Sequence, residues 1–324
     1  MTPSSMLRRA LELFRALPPL VRLGLVCLVV VGVAYVAIDP GEDRPTVERT
    51  AVDPEGEPSV FGPVAAGGAG VVETDHGMVL PVVGGAEGAW EVLTPCAQRR
   101  VVDLPRTTGA HVVIDPGHGG EETGAVAPNG LTEAEINLDV ARGVARRLEE
   151  AGAEVVLTRD ADIRVTIETR AAIARALRPR AFVSIHHNSG AVSPSDRPGA
   201  QVFHQLTDPE SRRLAGLVFE SLQEQLTPLS TAWSRGHAIG VRGRIGSDGT
   251  DFYGILRRPA GVPSVLVEAL YLSEEPEATL LADPSFRAAE ADAIADAVVT
   301  WVSTERPGTG YLDPLDSPEP AGGG

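Results

Sequence analysis

Val112-Val113-Ile114-Asp115-Pro116-Gly117-His118-Gly119-Gly120 is the stretch that decides how the rest of the chain is read. Its β-branched residues make a short buried strand, and Pro116-Gly117 ends it. The strand therefore delivers Asp115 and His118 to its carboxyl end, where open α/β sheets keep their chemistry. The glycines that follow let the backbone turn tightly and approach an ion or ligand closely.

Outward from this strand, β and α patterns alternate. Thr132 to Ala151 carries Ile136, Val140, Val144 and Leu148 on one side, which predicts an amphipathic helix. Thr132 is its cap, and Glu135 completes a capping box. Strands follow at 154–158 and 181–185, with a helix over 166–177 between them. A further strand at 201–204, a helix at 209–226, a core strand at 262–267 and a closing helix at 283–301 complete the pattern. Such alternation predicts an α/β fold with a central, mostly parallel sheet flanked by helices on both faces. The Gly-rich stretch 227–250, which contains His237, reads as the rim of a binding groove.

The remainder divides by composition. Residues 1–38 combine Arg8, Arg9, Arg15 and Arg22 with an uncharged run, Leu23 to Ile38. This reads as a membrane anchor, or alternatively a cleaved signal segment, with the rest of the chain on the extracytoplasmic side or secreted. Residues 39–69 read as a disordered linker, 70–108 as a small β-rich extension, 109–304 as the main domain and 305–324 as a disordered tail. Cys27 lies in the apolar run, so Cys96 has no partner within the domain and packs as a small hydrophobe or is a free thiol. A net charge of −16, with every basic side chain an arginine, argues against a nucleic-acid surface.

Three of the strands end in groups that ligate or titrate: His118, His186 and Glu268. Glu133, in the first turn of the first helix, falls near the same sheet edge. Zinc takes nitrogen and oxygen donors in a tetrahedral set and, when catalytic, keeps one position open. His118, Glu133 and His186 would supply such a set, leaving Glu268 as general base. The bland reading makes Asp115 and His118 loop polar groups and Glu133 a residue placed for the helix dipole. Against it stands Ser184-Ile185-His186-His187-Asn188, whose polar groups at the end of a core strand are hard to explain by packing.

The sequence resembles the zinc-dependent N-acetylmuramoyl-L-alanine amidases of the amidase_3 type, over about residues 110–302. The opening strand and loop match V-V-I-D-P-G-H-G-G, Gly130 to Leu138 match G-L-x-E-x-x-x-N-L, Ser184 to Asn188 match S-I-H-x-N, and Val262 to Glu268 match V-P-x-V-L-V-E. The resemblance implies Zn2+ held by His118, Glu133 and His186, with Glu268 catalytic. It further implies hydrolysis of the bond between N-acetylmuramic acid and L-alanine in peptidoglycan or muropeptides. Asp115 would orient His118, and Arg257 would face the oxyanion. Arg170, His187 and Asn188 are further candidates for supporting or substrate contacts, and Arg235-Gly236 falls in the rim. Three departures stand out: His187 where a small residue is common, Arg175 where an Asn is common, and Ala269 to Glu275 in place of G-F-x-x-N. No inserted segment separates the second and third ligand motifs, so open access to the site is expected without an activating partner. Two other classes stay open: a zinc-containing peptidoglycan-binding module without activity, and a zinc peptidase cutting within the stem peptide.

Overall fold

A sheet of two-residue to eight-residue strands precedes the main domain in the computed structural model, which describes residues 59–65, 67–189, 199–229 and 240–316. Strands β1 (Val71–Glu73), β2 (Val79–Ala86), β3 (Ala89–Leu93), β4 (Arg99–Val102) and β5 (Arg106–Thr107) pair antiparallel in the order β4-β3-β2-β1-β5. Val72, Leu80, Val82 and Val92 close a small core of their own. This is the β-rich extension expected at 70–108. Cys96 is exposed, which removes its reading as a buried hydrophobe.

The main sheet is built from β6 (Val112–Pro116), β7 (Val155–Leu157), β8 (Ala181–Asn188), β9 (Gln201–His204), β10 (Gly240–Arg242) and β12 (Ser264–Tyr271), while the short β11 (Arg244–Ile245) lies outside it. Its order is β10-β9-β12-β8-β6-β7, and only the β9–β12 pair is antiparallel. The mostly parallel α/β sheet is therefore present, and its buried strands need residues that are apolar on both faces. Val112, Ile114, Val183, Ile185, Val265 and Val267 face one core. That core is closed by α1 (Glu133–Glu150), α3 (Pro209–Leu226) and α6 (Pro284–Ser303). Val113, Phe182 and Leu266 alternate to the other face, where α2 (Ile167–Leu177) and α4 (Gly254–Arg257) cover them. Two short elements, α5 (Glu275–Ala282) and β13 (Leu315–Asp316), complete the described chain.

Three differences from the sequence reading have physical causes. Strand β8 does not stop at Ile185, because Glu268 pairs with His186 and Tyr271 with Asn188 across β12. His186 and His187 thus lie inside a strand and face opposite sides of the sheet. The stretch expected as linker is seated on the domain from Ser59 onward. Phe61 is 2% exposed in the main core, and the Gly62 carbonyl meets His111 Nε2 at 2.8 Å. Burying that one ring contributes about 1.5–3 kcal/mol. Near the other end, Tyr311 stacks under the Arg212 guanidinium at 3.7 Å, so chain expected as disordered tail is docked through Asp316.

The membrane expectation is corrected. Among the described residues no helix is long and apolar enough to cross a membrane, and the run 23–38 on which that expectation fell lies outside the described residues. Neither a membrane partner nor the extracytoplasmic placement deduced from it is retained. Arg235, Gly236 and His237 also lie outside the described residues.

Candidate metal centre

The loop after β6 is held by two arginines that leave it little freedom. Arg159, 1% exposed, donates from Nε to the Pro116 carbonyl at 3.0 Å and from Nη2 to the carbonyls of Gly117 and Ala134, both at 2.8 Å. Burial, with the like charge of Arg170, pulls its guanidinium down to about 10. Arg170 donates to Asp115 Oδ1 at 2.7 Å, to the Pro116 carbonyl at 2.5 Å and to the His118 carbonyl at 2.6 Å. His118 has φ 59°, a left-handed conformation that costs a non-glycine residue free energy, and these bonds help to hold it there.

Asp115 does not reach the His118 ring directly. Its Oδ1 accepts from Thr158 Oγ1 at 2.5 Å and from Arg170, and its Oδ2 accepts from Ser184 Oγ at 2.7 Å. Burial alone would raise this carboxyl, but the Arg170 charge and the hydrogen bonds outweigh it and hold the group below its ordinary value. Asp115 is therefore linked to the His118 loop through Arg170, which bonds both to its carboxylate and to the His118 carbonyl.

Glu133 is the first residue of α1, but it is not the cap. Thr132 accepts from the Glu135 amide, and Glu135 closes the capping box, which frees Glu133 to turn inward at 5% exposure. Its Oε1 lies 3.2 Å from His118 Nε2 and 2.9 Å from His186 Nδ1. Its Oε2 accepts from the Ala125 amide at 2.9 Å. Burial works to raise this carboxyl, yet the hydrogen bonds and charges of the two histidines hold it far below the ordinary carboxylate range. One donor atom from each of His118, Glu133 and His186 lies within 4.8 Å of the others. Two imidazoles and one ionised carboxylate converging from three elements fit zinc, which accepts this donor set with a position to spare.

Two glycines make room for the cluster. A Cβ on Gly117 would lie 2.2 Å from the His186 ring, and one on Gly124, at φ +67°, would lie 2.5 Å from Glu133 Oε2. Gly117→Ala is expected to displace the His186 ring and weaken zinc binding by about tenfold or more, as disturbed ligand support does. Competition with a chromophoric chelator measures this, and unchanged affinity would show that the ring does not need that space.

Glu268 comes from β12, next to His186 on β8, and lines one cleft of about 260 Å³ with His118, His186, Arg170 and Tyr253. Its Oε2 is buried without a hydrogen-bond partner. Removal from water, together with the negative charge of Glu133, raises its carboxyl well above the ordinary value.

The other candidates are placed elsewhere. Arg257 is exposed and donates to the Asp251 carbonyl, and it is absent from the cleft lining. Asn188 is tied to Gln201 Oε1 at 3.0 Å, bridging over β12. His187 is 1% exposed and points into the core between α1 and α6, away from the cleft. Sequence reasoning missed Tyr253, which reaches the cleft from the segment before α4 and accepts from Arg244 at 3.0 Å. Its only signal was a polar aromatic in a Gly-rich stretch without period.

Comparison with known proteins agrees with this geometry. The chain is 38% identical over 211 residues to the uncharacterized protein YqiI of Bacillus subtilis, covering 64% of this chain and 91% of that one. It is 32% identical over 224 residues to the N-acetylmuramoyl-L-alanine amidase AmiC of Neisseria meningitidis, covering 60% of this chain but only 53% of that protein. Among solved structures, N-acetylmuramoyl-L-alanine amidase AmiC2 of Nostoc punctiforme superposes with a TM-score of 0.52 at 32% identity, covering 60% of this chain and 97% of that one. The model of the Amidase_3 family, N-acetylmuramoyl-L-alanine amidase, matches residues 112–300, the span that carries the strands and the cleft, and the chain belongs to that family.

Proposed function

We propose that this chain is a zinc-dependent amidase that hydrolyses the bond between N-acetylmuramic acid and L-alanine in peptidoglycan or its muropeptides. The observation that carries this reading is the convergence of His118, Glu133 and His186 on one point, with Glu268 facing the same cleft. His118, Glu133 and His186 hold the ion, which when bound supplies Lewis acidity toward water and the scissile carbonyl.

The chain's own residues do the rest. Glu268 takes a proton from the attacking water as its oxygen bonds to the carbonyl carbon, then gives that proton to the alanine nitrogen as the carbon–nitrogen bond breaks. Burial and the negative charge of Glu133 raise this carboxyl, which strengthens it as a proton acceptor. Arg159 and Arg170 fix the loop that presents His118, so the ligand geometry does not have to be formed at each turnover. The carboxylate of Glu133 is already ionised and oriented by two histidines.

Incubating the chain with muropeptides and following free stem peptide by mass tests the proposal. Release is expected with zinc, is abolished by a chelator, and returns when zinc is restored. Cleavage that persists after the metal has been removed would refute the proposed role of zinc. Zinc binding without any cleavage would instead make the chain a binding module.

A further inference from the structure

Behind the metal centre, on the core side of β8, lies a polar cluster that the cleft does not use. The side chains of His187 and Glu290 are both 0% exposed, with His187 Nε2 3.2 Å from Glu290 Oε2. Glu290 Oε1 has no hydrogen-bond partner. On the other side of the ring, His187 Nδ1 lies 2.8 Å from Asn137 Oδ1. Asn137 Nδ2 in turn faces the Gly117 carbonyl at 3.3 Å and Glu133 Oε1 at 3.4 Å.

The donors and acceptors can be assigned from these partners. Both groups facing Asn137 Nδ2 are acceptors, so the amide nitrogen belongs there and Oδ1 is left to accept. His187 must then donate from Nδ1. A single proton joins Nε2 to Oε2, whichever atom carries it. A continuous path thus runs from α6 through His187 and Asn137 to Glu133, and the His187 backbone amide adds a bond to Glu133 Oε1 at 3.3 Å.

Packing does not explain this arrangement. Two titratable side chains fully removed from water cost free energy that an apolar pair of the same shape would not, and such replacements are often neutral or stabilising. We propose that His187 and Glu290 form a brace that, acting through Asn137, positions Glu133 for the metal. His187, Glu290 and Asn137 are positioning residues that never touch substrate. The inference rests on the zinc reading above.

The test compares zinc affinity of the full chain, by chelator competition, in the parent, in His187→Phe/Glu290→Leu and in Glu290→Gln. The double variant keeps the volume filled and removes the hydrogen bonds. It is expected to bind zinc about 10–100-fold more weakly while the zinc-free protein unfolds at or above the parent's midpoint. Glu290→Gln keeps a hydrogen-bonding partner on Nε2 and is expected to stay within about threefold of the parent. Parental affinity in the double variant would overturn the brace, as would a loss of about tenfold in Glu290→Gln. Failure of the zinc-free double variant to fold would also overturn it, because the pair would then serve the fold rather than Glu133. A parent that binds no zinc would instead overturn the underlying reading.

Discussion

Glu268→Gln is expected to lower amide cleavage by about 10²–10⁴-fold, the usual contribution of a positioned general base, while zinc stays stoichiometrically bound. The substitution keeps the shape of the side chain and removes only its ability to take a proton. Glu268 does not belong to the group of donor atoms that converge, and its buried Oε2 lacks a partner, so no ligand is lost with it. Metal analysis of the purified variant beside its rate on a muropeptide separates the two roles. Zinc lost together with activity would move Glu268 into the ligand set and take the base away from it.

Asp115→Asn is expected to destabilise the zinc-free domain by about 3–5 kcal/mol, because it leaves Arg170 charged and buried without its counter-charge. The pair is closed off from water, with side-chain exposures of 5% for Arg170 and 1% for Asp115, so solvent screening does little to soften the loss. The sign of the pH dependence follows from the same contacts. Asp115 is held below its ordinary value in the folded chain, so its stabilisation is full above the unfolded carboxylate value of about 3.9 and is lost as pH falls through the lower folded value. Urea midpoints at neutral pH and below about pH 4 should show a smaller acid loss in the variant than in the parent. A variant within about 1 kcal/mol of the parent at neutral pH would mean that Arg170 is satisfied by the carbonyls alone.

Much of the architecture was legible because local patterns and the final fold agree. Apolar runs that lead into His118, His186 and Glu268, and a capping box that leaves Glu133 free to turn inward, are readable from neighbours in sequence. The parallel sheet follows from the alternation of elements. What was not legible depends on pairings between distant residues. Strand β8 runs past Ile185 because β12 pairs with it, and that extension decides that His187 faces the core rather than the substrate. Glu290 sits 103 positions from His187, on a helix whose interior-facing acid looks, in sequence, like an ordinary surface residue. Arg257 was misplaced for the same kind of reason, since a four-residue helix gives no periodicity from which to tell its faces. Phe61 had no local signal at all, because its pocket is assembled by the core of a domain that follows it.

The proposed function stands most directly on which amide is broken. A defined muropeptide digested by the zinc-loaded chain should yield a free stem peptide whose new amino terminus is L-alanine, with the muramic acid lactyl group left as a free carboxylate. Any later residue of the stem appearing as the new amino terminus, with L-alanine still attached to the sugar, would contradict it.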